Sequence, residues 1–195
     1  MDLQLKGRRA LVTGSTAGIG FAIAKALAAE GTAVVINGRA ADRVEAALAQ
    51  LREACPGAEL SGITADLASA EGCAALVAAC PDVDILVNNL GIFDPKPFED
   101  IPDADWLRFF ETNVMSGVRL ARGYLGGMKQ RNWGRIVFIS SESGLCPPAE
   151  MVHYGMTKSA QLSVARGLAE TCAGTGVTVN SVLPGPTLTQ GAEDF

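Results

Sequence analysis

Residues 9–31, RALVTGSTAGIGFAIAKALAAEG, join a short apolar run to a glycine-rich turn and then to an alanine- and leucine-rich segment that stops at Gly31. A four-residue apolar run followed by apolar residues at helical spacing reads as strand, turn and helix, with Gly31 where a helix C-cap belongs. Within the turn, Gly14, Gly18 and Gly20 let the chain reverse tightly and let a phosphate approach the backbone. The free N–H groups of the helix start would face that phosphate. The spacing is G-x-x-x-G-x-G rather than the G-x-G-x-x-G dinucleotide fingerprint. A structural strand-to-helix turn would also account for it, so the rest of the chain has to decide.

The same alternation continues to the end. TAVVING is followed by DRVEAALAQLREA, ELSGITAD by AEGCAALVAAC, and VDILVNN by a long stretch from Asp103 to Gln130. GRIVFIS precedes another helical stretch, and GVTVNSVLPG closes the pattern. Six apolar strands separated by helices imply a parallel sheet covered on both faces. The expected fold is therefore α/β, a Rossmann-like doubly wound sheet of strand order 3-2-1-4-5-6 in one domain spanning residues 1–195. Ligands of such sheets bind beyond the carboxyl ends of the strands. Four of those ends carry unusual sequence: TGSTAGIG, NNLG, ISSESG and LPGPT.

Composition narrows the function classes. With 195 residues, 48% of them hydrophobic, the chain can bury one sizeable core. A net charge of −5 argues against a nucleic-acid partner. No run of about 18 apolar residues suggests a membrane span, and the first residues lack a secretory signal. Cys55, Cys73, Cys80, Cys146 and Cys172 are widely spaced without a C-x-x-C pair, and there is a single histidine. Neither a disulfide framework nor a metal site is expected; the five read as reduced, structural thiols of a cytoplasmic protein.

HYGMTKSAQL, residues 153–162, contains Tyr154 and, four residues on, Lys158. The stretch lacks proline and leads into an apolar-periodic run, so both side chains lie on one helix face. By themselves they read first as a surface tyrosine packed on a lysine stem. Together with TGSTAGIG, NNLG, Asn113 in ETNVMSG and Ser141 in ISSESG, YGMTK makes the whole chain resemble the short-chain dehydrogenases/reductases. The motifs stand in that family's order, and the spacing to Tyr154 selects Ser141 over Ser140. One departure is Leu90, where the family usually has alanine in N-N-A-G.

The resemblance implies an NAD(P)-dependent oxidoreductase acting on a small alcohol or carbonyl compound. Tyr154 would be the general acid/base. Lys158 would lower its pKa and hold ribose hydroxyls, Ser141 would orient the substrate oxygen, and Asn113 would support a water leading to Lys158. Gly14, Ser15, Thr16, Gly18, Ile19 and Gly20 would cradle the cofactor. Asp66, Leu67, Asn89 and Gly91 would flank its adenosine and ribose, with Tyr154 and Lys158 beyond, and Pro184, Gly185 and Thr187 would meet the nicotinamide. Asp66 also reads as a helix N-cap, and strand-end bonding is the expectation for Asn88.

An NAD-type site would place an acid at the end of the second strand, where this chain has Gly38 followed by Arg39. A guanidinium there suits a 2′-phosphate, so NADP(H) is preferred over NAD(H), although Arg39 could also stack on adenine or stay solvated. His153 reads as a pocket wall or a packed side chain; no G-x-S-x-G elbow supports a hydrolase. A nucleotide-binding sensor or scaffold without turnover is the alternative function. Further implications are a homodimer or homotetramer in which the long helix from Asp103 and the Tyr/Lys helix pack across a two-fold axis, with Leu162, Val164 and Leu168 as interface candidates that read equally as core. Family members also continue past the strand-six turn, so residues 187–195 read as the start of a mobile lid. Without that continuation the sixth strand would be an open edge.

Overall fold

Leu11, Val12, Ile36, Leu86 and Ile136 are completely withdrawn from solvent because their strands are covered on both faces, which is why these strands read as unbroken apolar runs. The computed structural model describes residues 2–188. In chain order it contains β1 (Arg9–Val12), α1 (Gly18–Ala29), β2 (Ala33–Gly38), α2 (Ala41–Ala54), β3 (Leu60–Thr64) and α3 (Ala70–Ala79). There follow β4 (Ile85–Asn88), α4 (Asp103–Phe110), α5 (Ser116–Gln130), β5 (Gly134–Ile139), α6 (Val152–Thr171) and β6 (Val177–Val182). All six strands pair in parallel in the order β3-β2-β1-β4-β5-β6, as the alternation predicts.

Two cores flank the sheet. On one face, Leu11, Leu86, Ile136 and Phe138 pack against Leu76 of α3, Leu120 and Tyr124 of α5 and Ala165 of α6. On the other, Val12, Ile36 and Val87 pack against Ala24 of α1 and Val44, Leu48 and Leu51 of α2. The chain reverses after β1, where a crossover to β2 leads one way and β4 lies on the other side. That switch point opens the crevice in which ligands of such sheets sit.

The long stretch from Asp103 to Gln130 is helical throughout but not uniformly so. A π-helical turn, Glu111–Met115, separates α4 from α5 and carries Asn113. Such wide turns occur preferentially at functional sites. The two sheet edges are β3, largely exposed, and β6, whose Val182 is half-exposed. From residue 189 on, the segment expected to begin a lid lies outside the described residues. No helix among the described residues is long and apolar enough to cross a membrane.

Candidate active site

The turn after β1 is pinned from three sides. Gly14 and Gly18 take φ of +58° and +57°, values that favour glycine. Thr13 Oγ1 accepts from the N–H groups of Asn89 (2.9 Å) and Leu90 (3.0 Å), drawing the end of β4 onto that of β1. The Asn89 amide donates to the carbonyls of Thr13 (2.9 Å) and Gly14 (3.0 Å). From β2, Asn37 donates to the carbonyls of Ile63 and Ala65 and accepts from the Gly14 N–H. A Cβ on Gly20 would lie 2.6 Å from the Gly14 carbonyl oxygen and 2.5 Å from the Asn89 amide, so only glycine fits there. Ala17, at the N-cap of α1, offers no side-chain cap, and no acidic residue lies in the helix's first turn. Its first N–H groups are thus left to an anion, and the turn fits the pyrophosphate of a dinucleotide.

Three expectations change here. Ser15 is fully buried: its hydroxyl donates to the Val12 carbonyl (2.6 Å) and accepts from the Asn37 N–H (3.0 Å), so the side chain braces the turn. Asn89, not Asn88, ties the strand ends together. The buried Asn88 amide has no hydrogen-bond partner among the described residues and lies where a Cβ on Gly117 would come within 3.2 Å of its carbon. Strand alternation explains the exchange, since adjacent asparagines point to opposite sides.

A cleft of about 470 Å³ opens beside this turn, lined by Thr16, Gly38, Arg39, Arg43, Leu67 and Leu90 among others. A Cβ on Gly38 would fall 2.6 Å from Thr16 Cγ2, so an acidic side chain there would require Thr16 to move. Neither Arg39 nor Arg43 forms an ion pair among the described residues. Arg43 was not singled out from the sequence, although its place four residues after Arg39, across the start of α2, was a usable signal. Leu90, the departure from N-N-A-G, lines this cleft, and a Cβ on Gly14 would stand 3.1 Å from its Cα. Asp66 is exposed and accepts from the Ala68 N–H (3.1 Å); the N-cap of α3 is Ser69, which accepts from the Gly72 N–H.

A second cleft, of about 450 Å³, lies at the ends of β5 and β6 and is lined by Ile19, Ser141, Tyr154, Pro184, Gly185 and Thr187 among others. Behind Tyr154, Lys158 is almost wholly buried and its ammonium donates to the Ile139 carbonyl (2.9 Å). Its Nζ lies 5.5 Å from the centre of the Tyr154 ring. A Cβ on Gly91 would sit 3.4 Å from that Nζ and 3.6 Å from Asn113 Oδ1, which brings Gly91, Lys158 and Asn113 together. Asn113 accepts from the Ile92 N–H and donates to the Ile92 carbonyl and to Thr157 Oγ1 (3.0 Å), locking the π-helical turn onto α6. Gln161 adds to that lock by donating to the Asn113 carbonyl (2.6 Å).

Burial governs the charges. It pushes the Lys158 ammonium down to about 8. Burial also raises the Tyr154 phenol, while the Ser141 hydroxyl, hydrogen-bonding to it, works in the opposite direction. Burial and the Ser141 hydrogen bond are the influences that act on the phenol in this structure. His153 proves to be a packed side chain. Fully buried, it lies 4.1 Å from the Phe109 ring and 6.0 Å from that of Trp106 by centroids, and burial lowers its pKa. Cys146 differs from the other four cysteines in being exposed, at the rim of the second cleft. No group of three or more His, Cys, Asp or Glu among the described residues is placed to hold a metal.

A glycine-rich strand-end turn and a Tyr/Lys helix facing a serine, in one doubly wound sheet, invite comparison with known proteins. The family described as short chain dehydrogenase matches residues 8–195. This chain belongs to that family. The chain is 54% identical over 193 residues to the uncharacterized oxidoreductase YvaG of Bacillus subtilis, covering 99% of this chain and 73% of that protein. It is 38% identical over 189 residues to D-beta-hydroxybutyrate dehydrogenase of Cupriavidus necator, covering 95% and 72%. Among solved structures it superposes on L-sorbose reductase from Gluconobacter frateurii, complexed with NADPH and L-sorbose. That match has a TM-score of 0.93 and 34% identity, over 98% of this chain and 74% of that one.

Proposed function

We propose that this short-chain dehydrogenase is an NADP(H)-dependent oxidoreductase of a small alcohol/carbonyl pair, with Tyr154 as its general acid/base. The carrying observation is the presence of Ser141 and Tyr154 at one strand-end cleft, with a buried Lys158 directly behind Tyr154 and braced by Asn113. When bound, a nicotinamide cofactor supplies or takes up the hydride. In reduction, Tyr154 gives its proton to the substrate oxygen while the Ser141 hydroxyl donates a hydrogen bond to the same oxygen. Lys158, at a pKa of about 8, can exchange protons near neutrality and so restore the phenol. Asn113 fixes the backbone from which that exchange is made.

The α1 start, with Thr16 and Ile19, would hold the pyrophosphate; Gly91 leaves room for the ribose, whose hydroxyls Lys158 would bind. Leu67 and Asp66 would flank the adenine, and Pro184, Gly185 and Thr187 the nicotinamide. Arg39, joined by Arg43, would grip a 2′-phosphate where no acid stands to repel it. L-sorbose reductase and an actinorhodin polyketide ketoreductase, the latter 36% identical, were both solved with NADPH, which is consistent with that preference.

The test is kinetic and by binding. Tyr154→Phe should lose turnover by at least about 100-fold and retain NADPH affinity. Arg39→Ala should weaken NADPH binding by about 1.5–3 kcal/mol, the worth of a charge-assisted hydrogen bond, and leave NADH nearly unchanged. Wild-type rates for the phenylalanine variant, or equal losses for both cofactors, would overturn the corresponding assignment.

A further inference from the structure

The cleft that holds Ser141 and Tyr154 carries charge of one sign only. Glu142 and Glu150 line it, and no lysine, arginine or histidine does so among the described residues. Glu142 is held in place: its N–H donates to the Pro184 carbonyl (3.1 Å), anchoring it across the ends of β5 and β6. Its Oε2 lies 3.3 Å from the point that a Cβ on Gly185 would occupy. Glycine at 185 therefore leaves space for a carboxylate directly beside the turn expected to meet the nicotinamide. Neither glutamate forms an ion pair among the described residues. Lys96 on an adjoining segment is paired with Asp105, and the Lys158 ammonium lies buried behind Tyr154 rather than in the cleft lining.

Building on the reductase reading above, we infer that this cleft selects uncharged carbonyl compounds with a hydroxyl beside the reacting carbon, and that Glu142, assisted by Glu150, turns carboxylate substrates away. A second carboxylate brought within about 6 Å of Glu142, at the intermediate dielectric of a half-open cleft, loses roughly tenfold in affinity. An unpaired carboxylate is conversely a ready acceptor for a substrate hydroxyl. The remaining lining mixes apolar side chains such as Ile19, Met151 and Pro186 with the uncharged polar groups of Ser143 and Thr187, which suits a neutral substrate carrying a hydroxyl.

The test uses the protein with NADPH and two matched pairs of substrates. Methyl acetoacetate and acetoacetate share a carbonyl and differ in charge; hydroxyacetone and butanone are of similar size and differ in the hydroxyl. At low salt the ester and the hydroxyketone should each have the higher kcat/KM, the ester by about tenfold or more. The double variant Glu142→Gln, Glu150→Gln should shrink the ester-to-acid ratio by about the same factor, as should raising the salt in the wild type. Ratios taken within one variant do not depend on how much of it is folded. Binding to the NADPH-loaded protein, read from cofactor fluorescence, reports the same contrasts without turnover. Selective binding with no turnover would sink the reductase reading and keep this one. Equal use of acid and ester, a ratio untouched by the double variant, or failure of all four compounds to bind would overturn this one.

Discussion

A lysine buried to the extent of Lys158 is an energetic liability, and its cost can be read in the pH dependence of stability. Its pKa falls from 10.5 to about 8 on folding, with burial as the cause. Between those values the unfolded chain binds more protons at this position than the folded one, so stability from this group rises with pH across that window. Below about pH 8 the full penalty applies, about 3 kcal/mol. The phenol of Tyr154 and the thiols of Cys73 and Cys80, all raised by burial, pull the opposite way at alkaline pH. A comparison with Lys158→Met removes these shared terms. The stability of the wild type relative to that variant, from urea unfolding, should climb by about 3 kcal/mol from pH 8 to 10.5. A flat difference would mean that the lysine is not desolvated as described. The pairing of Tyr154 and Lys158 was legible in the sequence because helix spacing is local. Their charge states were not, since burial comes from β5, α4 and the π-helical turn, which meet α6 only in the folded chain. The same holds for Asn88 and Asn89: the doublet announces a strand end, but which amide faces β1 depends on a pleat that the letters do not record.

Helix α1 illustrates how packing overrides propensity. Alanine ordinarily favours a helix interior over glycine by about 1 kcal/mol. At Gly20 a Cβ would strike the Gly14 carbonyl oxygen at 2.6 Å and Ser15 Cα at 2.9 Å, both backbone atoms that cannot rotate away. Gly20→Ala should therefore destabilise the fold by about 1–3 kcal/mol and loosen the cradle, seen as weaker dinucleotide binding. At Gly167, on the exposed side of α6, an added Cβ meets nothing within 4 Å. Gly167→Ala should stabilise by about 0.5–1 kcal/mol. Equal and same-signed shifts in melting temperature for the two variants would contradict the cradle geometry. The strand order was legible for a related reason: short apolar runs alternating with helical periods admit few parallel topologies. The π-helical turn at Glu111–Met115 was not, because ETNVM carries no proline or glycine to mark a break; it exists through the bonds of Asn113 to Ile92 and Thr157.

Apolar surface left over after both cores are filled suggests how whole molecules associate. Val164 and Leu168, expected at an interface, spend part of their surface on the core beneath α6. One group of exposed apolar residues lies on and beside α4: Leu107 is 67% exposed, Phe98 61% and Phe110 37%. Leu107 and Phe110 are three residues apart and so share a helix face, while Phe109 turns inward onto His153. A patch of this kind on a monomer marks a contact surface, and a self-complementary contact closes as a two-fold dimer. The family resemblance implies a homo-oligomer as well, so association through α4 is proposed here. A net charge of −5 on each chain opposes it only at long range, and salt should favour rather than dissolve the complex. Leu107→Glu, which places two new charges against each other across the axis, should halve the mass seen by light scattering without lowering the melting temperature of the isolated fold. A wild-type monomer at micromolar concentration, or an unchanged mass for the glutamate variant, would overturn the assignment of this face.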